Sequence, residues 1–148
     1  LVDAGGSVEA AAFSPDGRWL AYASDESGIS EIYVRPFHDG YAGADDKIQV
    51  SNGGGDFPAW GRSGDELFFI SRDRNLKAFD VRRGANGGAA TTLFKPCAAT
   101  GLNAPVGTGA IWMHPFDVAS DGRFLFNCLA EPPGRFVVWM NWRAAPLR

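Results

Sequence analysis

Metal-seeking and redox-active side chains are scarce in this chain: 148 residues carry two cysteines and two histidines. Cys97, Cys128, His38 and His114 match no zinc spacing, neither closely spaced Cys/His pairs nor HExxH, so no metal and no cofactor is expected. The spacing leaves open whether the cysteines form one disulfide; two unrelated thiols is the reading preferred here. No apolar run approaches the ~20 residues that cross a bilayer, which excludes membrane insertion by this chain. A charged-then-apolar leader is also missing, and the chain starts at Leu1 without an initiator methionine, as a processed product or an excised piece would. Positive charge is not in excess either. The net charge is −3, and the densest basic group (Arg72, Arg74, Lys77, Arg82, Arg83) is interrupted by Asp73 and Asp80. Without a basic stripe, a nucleic-acid partner is not expected.

Catalytic signatures are missing as well. A nucleophile elbow needs Gly-x-Ser-x-Gly, and Gly61-Arg62-Ser63-Gly64-Asp65 does not supply it. The acidic pairs Asp25-Glu26 and Asp45-Asp46 lie in loops without apolar walls and read as solvated charge. No helical period of 3.6 is sustained anywhere.

What the chain has in plenty is punctuation. Nineteen glycines and nine prolines sit between short apolar runs, the pattern of an all-β protein. Three segments repeat one another: SPDGRWLAYASDESG from Ser14, GRSGDELFFISRDRN from Gly61 and ASDGRFLFNCLAEPPG from Ala119. Their shared glycines, Gly17, Gly64 and Gly122, are 47 and 58 residues apart. A leucine follows each by three (Leu20, Leu67, Leu125), and a large apolar residue precedes each by four (Phe13, Trp60, Val118). Periods of about 40–50 residues mark propellers. The longer interval matches a glycine-rich insert, Gly101 to Ala110.

Each unit divides into strands. The first offers Glu9–Ser14, Trp19–Ser24, Glu31–Pro36 and Lys47–Ser51. The second offers Phe57–Gly61, Glu66–Ser71, Leu76–Val81 and Thr91–Phe94. The third offers Phe116–Ala119, Arg123–Cys128 and Phe136–Trp142. Four short antiparallel strands per unit make a β-propeller blade. The expected fold is therefore all-β, one domain over 1–148 with three blades, half of a six-bladed propeller, at approximately 7–52, 53–95 and 111–148. The glycines should hold left-handed turn positions in the hairpin between the first two strands, with Asp16 and Asp121 as turn residues. The following strand is apolar on both faces, as the middle of a blade covered from each side must be; Leu20, Leu67 and Leu125 should all be buried.

FSPDGRWLAYASDESG followed by EIYVRPF resembles the TolB-like, WD-repeat-like propeller repeats. SNGGGDFPAW…ELFFIS, FDVASDGRFLFN and VVWMNW are similar to the last three blades of bacterial propellers attached to Ser/Thr protein kinases. The second unit departs from the pattern, since Gly61-Arg62-Ser63-Gly64 lacks Pro and Asp. The chain carries no kinase motifs, neither a glycine-rich phosphate loop nor HRD or DFG. The resemblance implies six blades, a recognition or sensing role and a periplasmic or extracytoplasmic location.

Blade topology places binding on the rim where blade-to-blade loops and second-to-third-strand loops emerge together. These are 53–58 and 101–115, with 25–30, 71–75 and 130–134. Function concentrates on loops held by a rigid scaffold. The candidate ligand-binding residues are Asp56, Trp112 and His114 around the channel mouth, with Glu26, Arg72 and Arg74 further out. The expected function is a non-catalytic interaction module for a protein or peptide; the alternative is an accessory or catalytic propeller of a peptidase- or lactonase-like hydrolase. Three blades leave an apolar face open at each end. The expected partner is therefore a second copy closing a six-bladed ring, with Leu1-Val2-Asp3 completing its third blade, unless the chain is a fragment of a longer propeller.

Overall fold

The three repeated turns are built alike. Gly17, Gly64 and Gly122 have φ of 70°, 75° and 83°, and their N–H groups donate to the carbonyls of Ser14, Gly61 and Ala119 at 2.9, 3.0 and 2.9 Å. In each turn a side-chain oxygen accepts the N–H two residues further on: Asp16 Oδ1 from Arg18, Ser63 Oγ from Asp65 and Asp121 Oδ1 from Arg123. Asp and Ser are interchangeable here because either oxygen closes the same small ring.

These hairpins organise a computed structural model that describes residues 5–38, 41–42, 47–86, 88–97, 114–129 and 137–139. The described strands form three antiparallel sheets, in the strand order of propeller blades. Blade one has β1 (Val8–Phe13), β2 (Trp19–Ser24) and β3 (Glu31–His38). A short β4 (Tyr41–Ala42) pairs with the far end of β3, and β5 (Ile48–Gln49) pairs with its middle. Blade two has β6 (Gly55–Trp60), β7 (Glu66–Ser71), β8 (Leu76–Asp80) and β9 (Thr91–Phe94), with a 3-10 helix, Val81–Asn86, between the last two. Blade three has β10 (Phe116–Val118), β11 (Phe124–Phe126) and β12 (Val137–Trp139). The described residues contain no α-helix. The fold is all-β, made of propeller blades.

Side chains alternate across each strand, so every blade has a front, toward the preceding blade, and a back. On β7, Leu67 and Phe69 face forward and pack with Ala21, Ala23, Ile32 and Val34 from the back of blade one. Phe68 and Ile70 face backward and pack with Phe116, Phe124 and Phe126 of blade three. Burial on both faces is why β7 reads as a continuous apolar run instead of alternating.

Four sequence expectations are corrected. Leu125 is 43% exposed, while Leu20 and Leu67 are buried. The turn before Leu125 is one residue shorter: Ala119 N–H reaches Arg123 O, where Ser14 and Gly61 reach Trp19 O and Glu66 O, five residues on. A one-residue slip transfers a strand's side chains to the other face. Phe124, paired with Val118 as Leu67 is with Trp60, therefore fills the buried place, and Leu125 points backward. Second, Cys97 and Cys128 are not unrelated thiols. They form a disulfide, with Cα atoms 5.5 Å apart, joining the end of β9 to the segment after β11. Blade packing brings together two residues 31 apart in sequence, a proximity no local spacing encodes. Third, the stretch 53–58 is not all loop, because β6 already begins at Gly55. Fourth, Asp56 accordingly sits in a strand and is buried. A bulge after Asp56 breaks the alternation that would have revealed the strand.

Candidate channel-mouth site

The innermost strands of blades one and two carry the same distortion at the same place. Register shifts between Glu9 and Ala12 in β1, and between Asp56 and Ala59 in β6. Ala10 and Phe57, seven residues before the turn glycines, have φ of 49° and 58°. Left-handed backbone at residues other than glycine costs on the order of 1–3 kcal/mol each. At Phe57 the cost is offset by burying the ring among Phe68, Ile70 and Leu76. Pro58 falls among the unpaired residues of the bulge, where its missing N–H breaks no ladder bond. Each distortion directly follows a carboxylate, Glu9 or Asp56, and bulges re-aim the side chains beside them.

Both carboxylates line one cavity of about 410 Å³ between the first two blades, with Asp25, Ser30 and Arg72. Asp56 Oδ1 accepts a hydrogen bond from Ser30 Oγ at 2.6 Å, and Ser30 O accepts from Gly55 N–H at 2.9 Å. The β2–β3 loop of blade one therefore fixes the first strand of blade two. Asp25 Oδ1 accepts the Ser7 N–H at 2.7 Å. Arg72 comes from the β7–β8 turn, where Asp73 takes hydrogen bonds from Ser71 Oγ and Asn75 Nδ2. The Ser71 hydroxyl, more than any other contact, lowers the Asp73 pKa below the ordinary carboxylate value, so the turn's anchor stays charged. The Arg72 stem lies over Gly54, where a Cβ would come within 2.9 Å of Arg72 Cβ. With φ of 105° as well, Gly54 is required twice over. Three carboxylates and one guanidinium thus surround a space open to solvent.

The loop carrying Gly54 is held by a residue that sequence reasoning missed. Glu31, 2% exposed, accepts the Gly53 and Gly54 N–H groups at 2.8 and 3.0 Å and a hydrogen bond from Ser51 Oγ. Ser51 Oγ in turn accepts from Ile32 N–H at 2.8 Å. The signal was an acid at the head of an apolar strand, 20 residues before a Ser-Asn-Gly-Gly-Gly run rich in free N–H donors.

Of the sequence-derived candidates, Asp56 and Arg72 meet at this cavity. Glu26 stands apart: its carboxylate pairs with Lys47 Nζ at 2.5 Å, and that ammonium lies 5.0 Å from the Tyr33 ring centre. Arg74 occupies a left-handed position in the Arg72 turn, with φ of 64°. His114 is exposed just before β10, and neither it nor His38 lines the cavity. Trp112, the insert 101–110, the loop 130–134, Asp45-Asp46 and Leu1-Val2-Asp3 lie outside the described residues. Among the described residues no group of three His, Cys, Asp or Glu side chains is placed to hold a metal ion, and no helix is long and apolar enough to cross a membrane.

No protein-family model matches the sequence, and no curated protein matches it. Solved structures do. One, assigned as TolB from Agrobacterium tumefaciens, is 26% identical with a TM-score of 0.50, covering 64% of this chain and 35% of that one. A puromycin-hydrolyzing peptidase of Mycobacterium tuberculosis is 22% identical with a TM-score of 0.59, covering 81% of this chain and 18% of that one. The chain is thus similar to a part of each, and the shared part is the β-propeller fold of the TolB type.

Proposed function

We propose that this chain is the recognition part of a TolB-like propeller, binding a protein or peptide at the channel mouth and catalysing no reaction. The observation that carries the reading is the cavity of Glu9, Asp25, Ser30, Asp56 and Arg72. It is assembled by two successive blades that place carboxylates at the same repeat position beside the same strained bulge. Strain repeated at one place and facing one cavity is the pattern of a site kept for binding. Carboxylates facing a guanidinium suit the alternating donors and acceptors of a peptide. Of the cavity hydroxyls, Ser30 Oγ donates to Asp56 and Ser24 Oγ accepts from Glu26 N–H. Among the described residues no histidine lines the cavity beside these or Ser7 to form a Ser–His pair, which supports binding over hydrolysis. The likeness to a peptidase, at 22% identity, supports the fold alone.

The likeness to propellers attached to Ser/Thr kinases belongs to the same reading, with the chain as the sensing end of such a protein. The Cys97–Cys128 disulfide supports an extracytoplasmic setting, because disulfides persist in oxidising compartments.

Selection from a displayed random-peptide library against the 148-residue chain tests the function. Enriched peptides should bind the wild type, and Arg72→Ala, at an exposed position, should weaken them about tenfold or more. Peptides indifferent to Arg72→Ala and to Asp56→Asn would overturn the site. Ester or peptide hydrolysis lost in the same variants would overturn the non-catalytic reading.

A further inference from the structure

The two blade junctions define what a blade face requires, and the outermost faces fail that requirement in a specific way. Trp60 stands on the front of blade two, paired with Leu67, and is 9% exposed because blade one covers it. Phe13 holds the same position on the front of blade one, paired with Leu20, and is 56% exposed. Its ring leans edge-on against Phe37 at 4.7 Å, and Val8 on the same face is 38% exposed. At the other end, Phe68 on the back of blade two is 6% exposed under blade three. Leu125, its counterpart by strand register, is 43% exposed. The open front thus lacks a blade back, and the open back lacks a blade front. The chain owns one of each.

We infer that two copies close on one another head to tail, the back of blade three in each covering the front of blade one in the other. The occupant of each face is a second copy of this chain, seated by the packing that already joins blade one to two and blade two to three. The chemistry agrees: the Phe13–Phe37 pair offers aromatic edges to Leu125, as Phe124 and Phe126 receive Phe68 and Ile70. Two copies of the three described blades make six, within the roughly four to eight that close a propeller. A two-fold ring leaves no face over and ends growth at the dimer. This inference is independent of what binds at the channel mouth.

The geometry makes a complementation test available. Light scattering after size exclusion should give a mass near twice 15.9 kDa at low micromolar concentration. Phe13→Asp spoils one side of both interfaces, and Leu125→Asp spoils the other side of both; each variant alone should be a monomer. Mixed, they keep one interface with both sides intact, so a one-to-one heterodimer should form. Both positions are exposed, and circular dichroism should show the variants folded like the wild type. A monomeric wild type, as expected if further blades of a longer chain cover these faces, overturns the inference. So does an open-ended series of oligomers, or a mixture that stays monomeric.

Discussion

The junction between blades one and two and the junction between blades two and three join the same structural unit by different chemistry. The first packs small and branched side chains (Ala21, Ala23, Ile32, Val34, Ile48) against Trp60, Leu67, Phe69 and Phe79. It adds hydrogen bonds that cross between blades: Trp60 Nε1 to Ala12 O at 2.9 Å, Ser30 to Asp56, and the Glu31 cage around 51–54. The second is a phenylalanine cluster, Phe57, Phe68, Phe94, Phe116, Phe124 and Phe126, with ring centres 4.9–6.5 Å apart in the pairs that touch. Among the described residues its polar crossing is a long one, Arg62 Nη1 to Ser120 O at 3.4 Å, and the Cys97–Cys128 bond adds a covalent tie. Blade three is the smallest of the three sheets among the described residues, with strands of three residues, and it relies on large rings and that tie. A propeller repeat fixes where one blade meets the next, and leaves open the means.

The largest effect expected of a single substitution is at the aromatic junction. Phe124→Ala should destabilise by about 3–5 kcal/mol, whereas Leu125→Ala, on the open face, should change the stability of the monomer by less than about 1 kcal/mol. Equal urea midpoint shifts for the two would show that β11 does not have the register described here. At the polar junction, Glu31→Ala leaves two N–H groups and a hydroxyl without their acceptor, costing about 2–3 kcal/mol. Glu31→Gln should recover part of it, since one carbonyl oxygen remains to accept. If Glu31→Ala is neutral in thermal melts, the cage does not hold the first junction.

Smaller effects separate the hairpins. Gly17→Val should cost about 1–2 kcal/mol from backbone strain alone, because nothing lies within 4 Å of a Cβ there. Smallest is a pH effect. The Ser14 hydroxyl first, then the Arg18 N–H and guanidinium, hold Asp16 down at a pKa of about 2. Its contribution is complete above the ordinary value near 3.8 and disappears as pH falls toward 2. Asp16→Ser, which copies the turn of blade two, should therefore destabilise measurably at pH 6 and hardly at pH 2. A penalty independent of pH would contradict the charged turn.

The repeat made the fold legible because glycines needing positive φ and strands buried on two faces leave plain marks at fixed offsets. That Asp56 and Arg72 come together was legible for the same reason, since blade topology says which loops share a rim. Other features left weaker marks. Nothing in Glu-Ala-Ala or Asp-Phe-Pro announces a left-handed alanine or phenylalanine, because tertiary packing imposes that strain. The glycine alignment aligned Leu125 with Leu67, but one residue fewer in the turn moved the buried place to Phe124. The Cys97–Cys128 bond depends on two blades meeting, and Glu31 on a loop returning to the strand head. Both are long-range contacts that no local pattern encodes.

Native-state hydrogen exchange with and without a thiol reductant tests most directly whether the two junctions are held as described. Reduction should speed exchange in β10 and β11 and leave β2, β3, β6 and β7 protected, because the disulfide ties the second junction and not the first. Uniform loosening of all three blades, or no change anywhere, would contradict the account.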